Sequence, residues 1–274
     1  MTKMPDSDKI AAAFHKKALE YDQHVLVQKR VVSNLTKSVE LHQNRVPEHI
    51  LDVGTGTGAL LEKLHSLYPY AHLTGVDVAI NMCLCTQQKL GDICQAVNAD
   101  AESLPFKNGA FDLVVSASAL QWVSNLSAAL HEVRRVVRPG GDIRLAFFCS
   151  GTLGELHQSF SAAVGRCSNY GGKGTSRLHE FWTVDEVTSI LNEMDFEQFV
   201  VSVETEVDWY DDLHSLLRSI KNIGAGTVTG GAGIGLGWRG VLQEAQRVYQ
   251  EQYMRDGKIP ATYKVLYLSA RTKS

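Results

Sequence analysis

Ile50-Leu51-Asp52-Val53-Gly54-Thr55-Gly56-Thr57-Gly58 is an apolar run ending on an acid and breaking into alternating glycines. Leu60, Leu61, Leu64 and Leu67 follow at helical spacing, so the segment reads as strand, glycine turn, helix. A turn of this kind lets the backbone approach a ligand closely and aims helix N-terminal amides at it. A dinucleotide site favours G-x-G-x-x-G because the pyrophosphate lies on the helix dipole. Here the glycines fall at 54, 56 and 58 with Asp52 just before them. A carboxylate beside a diphosphate is repulsive, which disfavours a nicotinamide oxidoreductase. A purely structural turn is the bland alternative.

Outward from this turn, strands alternate with helices, the pattern of a mostly parallel sheet covered on both faces. The spacing predicts strands at 49–53, 72–76, 94–97, 111–116, 143–148, 196–207 and 263–270. Two helices precede the first strand, on Ile10, Phe14, Ala18 and Tyr21 and on Val27, Val31, Leu35 and Val39. Others are expected at 81–90, over Leu126 to Val137, around Leu156 to Val164, from the Thr183 and Glu186 capping pair to Met194, over Leu213 to Ile223 and at 238–254. Pro139-Gly140-Gly141 is expected to stop one helix before strand five. The glycine-rich stretches 165–174 and 224–237 are expected to be loops. The helical segment between strands six and seven is longer than a crossover needs, so an inserted, substrate-covering cap is placed there.

Composition narrows the function. In 274 residues, 27 basic and 30 acidic side chains leave a formal charge of -3, giving no global field for nucleic acid. The start, with Lys3, Asp6, Asp8 and Lys9, lacks a signal peptide's apolar core, and no run is long enough to cross a bilayer. A cytoplasmic protein without a membrane role is expected. Five scattered cysteines make a poor disulfide framework, and Cys83 and Cys85, two apart on a helix, face different ways, so no metal site is expected. One α/β domain over 1–274 is expected, with N-terminal helices at 1–46, a cofactor-binding core at 47–150 and a substrate-covering part at 151–274.

Further acids stand at the strand ends. Asp77, followed by Val78, lies about 20 residues beyond the glycines, where a carboxylate accepts hydrogen bonds from ribose hydroxyls. Asp100 and Ala101 follow strand three, and Ser116 and Ala117 end strand four. Ligands of open α/β sheets lie beyond the carboxyl ends of the strands, so these positions converge on one crevice.

Together with Leu104-Pro105-Phe106, Phe111-Asp112 and Arg138-Pro139-Gly140-Gly141, these residues resemble the class I methyltransferases. The resemblance implies a Rossmann-like, seven-stranded sheet and S-adenosylmethionine as cofactor. It implies that Asp52, Gly54, Thr55, Gly56 and Gly58 hold the cationic amino acid end, and that Asp77, Val78, Asp100, Ala101 and Ser116 line the nucleoside side.

Beyond the core, Ile10-Ala11-Ala12-Ala13-Phe14, Ser215-Leu216-Leu217-Arg218-Ser219-Ile220-Lys221-Asn222-Ile223-Gly224-Ala225 and Pro260-Ala261-Thr262-Tyr263-Lys264-Val265-Leu266-Tyr267 resemble the malonyl-[acyl-carrier protein] O-methyltransferase family of biotin synthesis. Gln121-Trp122, Asn125-Leu126 and Leu156-His157-Gln158 fit as well, while Gly231-Ala232 stands where that family has Gly-Arg and Thr55 where Cys is commoner. That resemblance implies transfer of a methyl group to the free carboxylate of a malonyl thioester, borne by an acyl carrier protein or by coenzyme A; a monomer is expected.

An ordinary carboxyl group is already ionised near neutral pH, so no general base is needed. Arg218 is the candidate to orient the carboxylate, since its planar fork makes two hydrogen bonds, and it otherwise reads as an exposed helix arginine. Tyr21 is the second catalytic candidate, placed over cofactor and acceptor, though Phe14, Ala18 and Tyr21 equally form a core face. Gln121, Trp122, Lys221 and Tyr263 are candidate acceptor contacts, with packing the alternative for Trp122 and Tyr263. Lys173, Arg177, Lys221 and Arg239 are candidates for a basic patch facing an acidic carrier. Methylation of another small acceptor, such as a quinone precursor or an organic acid, and a non-catalytic cofactor-binding module are the competing readings.

Overall fold

Strand β1 (His49–Val53) is central because its residues are apolar toward both faces of the sheet. Ile50 packs into one buried cluster, and Leu51 and Val53 into another on the opposite side. Strands β4 (Phe111–Ala117) and β5 (Val137–Phe148) repeat the alternation. Leu113, Val115, Ala146 and Phe148 join the first cluster, and Val114, Leu145 and Phe147 the second. A strand buried on both faces must be covered on both. The computed structural model describes residues 12, 26–42, 45–167, 179–222 and 236–274. The expected opening helix with Tyr21, and the glycine-rich stretches over 168–178 and 223–235, lie outside the described residues.

The seven strands are ordered β3-β2-β1-β4-β5-β7-β6, with β2 at His72–Asp77, β3 at Cys94–Asn98, β6 at Phe196–Tyr210 and β7 at Ile259–Thr272. Neighbours from β3 through to β5 pair in parallel. β7 runs antiparallel between β5 and β6. The first face carries α1 (Leu26–His42), α2 (Ala59–Leu67), α5 (Gly154–Arg166), α7 (Leu213–Asn222) and α8 (Leu236–Tyr253). The second carries α4 (Leu126–Val136) and α6 (Val184–Asn192). α3 (Ile80–Leu90) connects β2 to β3. Among the described residues, the helices α7 and α8 lie between β6 and β7, where the cap is expected.

α1 forms because Val27, Val31, Leu35 and Val39 recur every fourth residue, and all four are at most 2% exposed. Full burial of such a side chain contributes about 1.5–3 kcal/mol. Arg30 anchors its outer side to β6, with Nε 2.6 Å from Glu206 and a terminal nitrogen 2.7 Å from Asp208. The expected capping box is formed at α6. The Thr183 hydroxyl accepts from the Glu186 amide, and the Glu186 carboxylate accepts from the Thr183 amide.

Several boundaries differ from expectation. β5 begins at Val137, six residues before Ile143, and Pro139-Gly140-Gly141 lies within it as an irregularity while α4 already ends at Val136. Gly140 takes φ +69°, and the Thr272 hydroxyl accepts from the Gly141 amide and donates to the Arg138 carbonyl, so neighbouring β7 supplies the bonds that a ladder would. β6 and β7 are each longer than their apolar cores, since they pair with one another from Phe196 and Thr272 to Tyr210 and Ile259. Gly165 belongs to α5, and Gly237 to α8, rather than to loops.

Candidate functional site

Beyond the carboxyl ends of β1 to β4 the chain encloses a cavity of about 850 Å³. Its floor is the glycine turn. The amides of Gly54 and Thr55 both donate to the Val76 carbonyl, at 2.7 and 2.9 Å, folding the turn back over β2. Gly54, Gly56 and Gly58 take φ of +74°, +55° and +80°, a region costly for other residues. At Gly54 a side chain is also sterically forbidden, because a Cβ there would stand 2.1 Å from that of Ala119.

Asp52 lines this cavity yet is 1% exposed, and its Oδ1 has no hydrogen-bond partner among the described residues. Burial pushes its carboxyl up to about 7; the Thr55 hydroxyl, near but outside hydrogen-bonding geometry, offsets part of this, and the Asp77 charge adds to it. Thr55 Oγ1 and Ser118 Oγ, on two further lining residues, are likewise buried and unpartnered. Unsatisfied buried polar atoms are costly, so three around one cavity mark where a polar ligand completes the structure.

Asp77 ends β2 beside the turn. Its two oxygens accept from the Gly56 amide at 3.0 Å and the Ala79 amide at 2.8 Å, while burial pushes its carboxyl up to about 6. Val78, Asp100 and Ala101 line the same wall. Asp100 Oδ1 accepts from the Glu102 amide at 2.9 Å, which shapes the turn after β3. The structure thus brings Asp52, Gly54, Thr55, Gly56, Asp77, Val78, Asp100 and Ala101 to one cavity. Gly58 caps the first turn of α2 in the left-handed conformation, behind the lining. Ser116 is fully buried and donates to the Val53 carbonyl at 2.6 Å, joining β4 to β1.

Past the end of β4, Trp122 lines the cavity. Gln121 lies behind it, 1% exposed, with its side-chain amide donating to the Ser118 carbonyl at 2.7 Å. Tyr263 is buried against Phe148, with ring centroids 5.5 Å apart; burial and the neighbouring Tyr210 push its phenol well above the ordinary range. Arg218 and Lys221 stand exposed on α7, whose Leu213, Leu216 and Ile220 are buried, and Arg239 is exposed on α8. Tyr21, Lys173 and Arg177 lie outside the described residues.

Four residues of this neighbourhood escape sequence reasoning. The Thr86 hydroxyl donates to the Gly56 carbonyl at 2.8 Å and clamps the glycine turn from α3. Its signal is a polar residue between Met82 and Leu90 on an otherwise apolar helical face. The Asn98 amide donates to the Asp77 and Val78 carbonyls at 2.8 and 2.9 Å. Ser118 takes φ +59°, and His179 is buried against the Gln121 carbonyl, and neither leaves a periodic signal. Among the described residues no cluster of histidine, cysteine, aspartate and glutamate could hold a metal ion, and no helix is long and apolar enough to cross a membrane.

Residues 51–145, the strands and turns around this cavity, match a family described as a methyltransferase domain. Over 96% of this chain and 98% of the relative, the sequence is 41% identical to the malonyl-[acyl-carrier protein] O-methyltransferase of Geobacter sulfurreducens. It is 32% identical to the protein of that name from Brevibacillus brevis, covering 95% of each chain. Among solved structures, the plantazolicin methyltransferase BpumL in complex with a desmethyl substrate analogue and SAH shares the fold at a TM-score of 0.55, with 15% identity over 98% of this chain and 97% of that one.

Proposed function

The chain belongs to the malonyl-[acyl-carrier protein] O-methyltransferase family, and from that premise we propose how its residues carry out the reaction. It is an S-adenosylmethionine-dependent O-methyltransferase that esterifies the free carboxylate of a malonyl thioester, the step that primes pimeloyl synthesis for biotin. The observation that best supports this is Asp52, a buried carboxylate oxygen without a partner inside a glycine cradle. A cationic ligand group satisfies it and a diphosphate does not. S-adenosylmethionine supplies a methyl group on a positively charged sulfur, and transfer leaves a neutral thioether.

The protein's own work is then binding, orientation and exclusion of water. Asp52 and Thr55 face the amino acid end, Asp77 the ribose, and Val78, Asp100 and Ala101 the base. The acceptor carboxylate is ionised beforehand, so one of its oxygens attacks directly and no proton moves. Keeping water that would otherwise stabilise that anion away from it assists the reaction, and holding it in line with the methyl contributes most of the rate. Trp122 lines the acceptor side, Gln121 and Tyr263 support it from buried positions off the lining, and Tyr21 and Arg218 are assigned to the acceptor carboxylate, Arg218 as the group that orients it. We further propose that 1–274 acts as one domain and as a monomer in the cytoplasm.

A second role for Arg218 is favoured by its exposure. His214, Arg218 and Lys221 recur at i, i+4 and i+7, all exposed, so the outer stripe of α7 is basic. Such a stripe suits docking of an acidic carrier protein. Arg218→Ala separates the roles: orientation predicts equal losses on malonyl-carrier protein and malonyl-coenzyme A, docking a loss on the carrier alone. For the reaction itself, the protein is incubated with labelled cofactor and malonyl-, succinyl- and acetyl-carrier proteins. A methyl ester from malonyl alone is expected, and label on none of them contradicts the reading.

A further inference from the structure

The short turn 118–122 lines the cavity through Ser118, Ala119, Leu120 and Trp122, and its conformation is held by residues beyond it. Ser118 takes φ +59°, a left-handed conformation uncommon for a residue other than glycine and stable only where the surroundings enforce it. Its amide donates to the Ala146 carbonyl at 2.7 Å, and its carbonyl accepts from the Gln121 side chain. Gln121 is in turn fixed by His179, whose Nε2 is 3.0 Å from the Gln121 carbonyl. A carbonyl only accepts, so Nε2 carries the proton in this bond. The same imidazole lies 4.8 Å from the Trp122 ring and meets Phe181 edge-on at 4.6 Å.

The geometry points to His179 as the positioning residue that sets Trp122 in the acceptor wall, and so governs acceptor binding and selectivity, without contact with the cofactor. Three observations carry this. His179 is 6% exposed and does not line the cavity, so it acts through its neighbours. Both residues it holds, Gln121 and Trp122, come two and three positions after Ala119, where the turn abuts Gly54, while the hydrogen bonds of the cofactor cradle go to β2 and α3. Trp122 also packs against the apolar cluster that includes Phe148, Tyr263 and the cap residue Leu216, so its indole joins cavity to cap. Removing the imidazole takes away both the bond to the Gln121 carbonyl and the tilted ring contact with Trp122, which loosens the indole, and an acceptor one methylene longer then fits more readily.

This inference rests on the methyl-transfer reading, and the test keeps the two apart. Wild-type enzyme is assayed first on malonyl- and succinyl-carrier proteins, and absence of any ester there sinks the reading rather than the role of His179. Given wild-type activity, His179→Ala is expected to raise KM for the malonyl substrate about tenfold with a smaller change in kcat, the signature of lost acceptor binding. The ratio of succinyl to malonyl turnover rises, and the Kd of S-adenosylhomocysteine stays within about twofold of wild type. His179→Gln, which restores a donor, recovers part of the KM, a rescue that a merely structural role does not give. Should His179→Ala fail to fold, His179→Gln and Trp122→Leu singly and together serve instead: combined they cost no more than Trp122→Leu alone. Additive losses, an unchanged KM, or a parallel loss of cofactor affinity overturns the inference.

Discussion

The cofactor half of the molecule, β1 to β4 with α2 and α3, is built differently from the acceptor half, β5 to β7 with α5, α7 and α8. In the first, the glycine turn is held by bonds between segments close in sequence: two amides share the Val76 carbonyl, the Thr86 and Asp77 side chains hold Gly56, and the Asn98 side chain ties the end of β2 to β3. In the second, position is set by side chains that reach across long sequence separations, as Arg30 does to Glu206 and Asp208, His179 to Gln121 and Glu155 to Thr262. The proposed cofactor side is thus tied together locally, and the proposed acceptor side by side chains distant in sequence.

The contrast is broken most severely at Gly54. Gly54→Ala forces a Cβ to 2.1 Å from that of Ala119 at φ +74°, so binding of S-adenosylhomocysteine is expected to be lost altogether, with a thermal midpoint several degrees lower. Scanning calorimetry and titration check both, and wild-type affinity in this variant would show that the turn is not the cradle.

Next comes Asp52. Its folded-state carboxyl, at about 7, lies above the ordinary value of 3.8, so the stability it contributes to the ligand-free protein is full below that ordinary value and is lost as pH rises through about 7. The Asp77 carboxyl, at about 6, adds a loss of the same sign ending lower. A cationic ligand favours the ionised form, so cofactor affinity moves the opposite way, rising up to about tenfold per pH unit until about 7. Asp52→Asn should flatten both profiles, and an Asn variant that keeps the wild-type slope excludes Asp52 as the titrating group.

On the acceptor side the effect is smaller. Arg218→Ala should cut turnover of malonyl-carrier protein about tenfold while S-adenosylhomocysteine affinity is unchanged, because among the described residues none of α7 lines the cavity. Steady-state kinetics beside a binding titration reads this, and a matching fall in cofactor affinity would erase the division between halves. Smallest is Thr86→Val, which removes one hydrogen bond to Gly56 and should weaken cofactor binding by about 0.5–1.5 kcal/mol. An effect confined to acceptor KM would place Thr86 in the wrong half.

The same division explains what was legible in the sequence. Parallel strands β1 to β4 are continuous apolar runs closed by turn residues, so their positions, the glycine turn, Asp77 and Asp100 follow from local pattern. The start of β5 does not, since Pro139-Gly140-Gly141 reads as a breaker until Thr272, more than 130 residues on, supplies its missing bonds. Nor does the place of β7 between β5 and β6, which is a pairing choice and not a property of its own residues. Ser118 and His179 escape for a related reason: one is singled out by backbone conformation and the other by what it packs against, and neither alters the spacing of apolar residues. Trp122 is legible as a candidate, but not the ring that holds it.

Titration calorimetry of the ligand-free protein with S-adenosylhomocysteine, and separately with reduced nicotinamide dinucleotide, tests the central claim most directly. The glycine cradle with its buried Asp52 predicts one site for the first ligand and no heat of binding from the second. Binding of the dinucleotide with none of S-adenosylhomocysteine would contradict it.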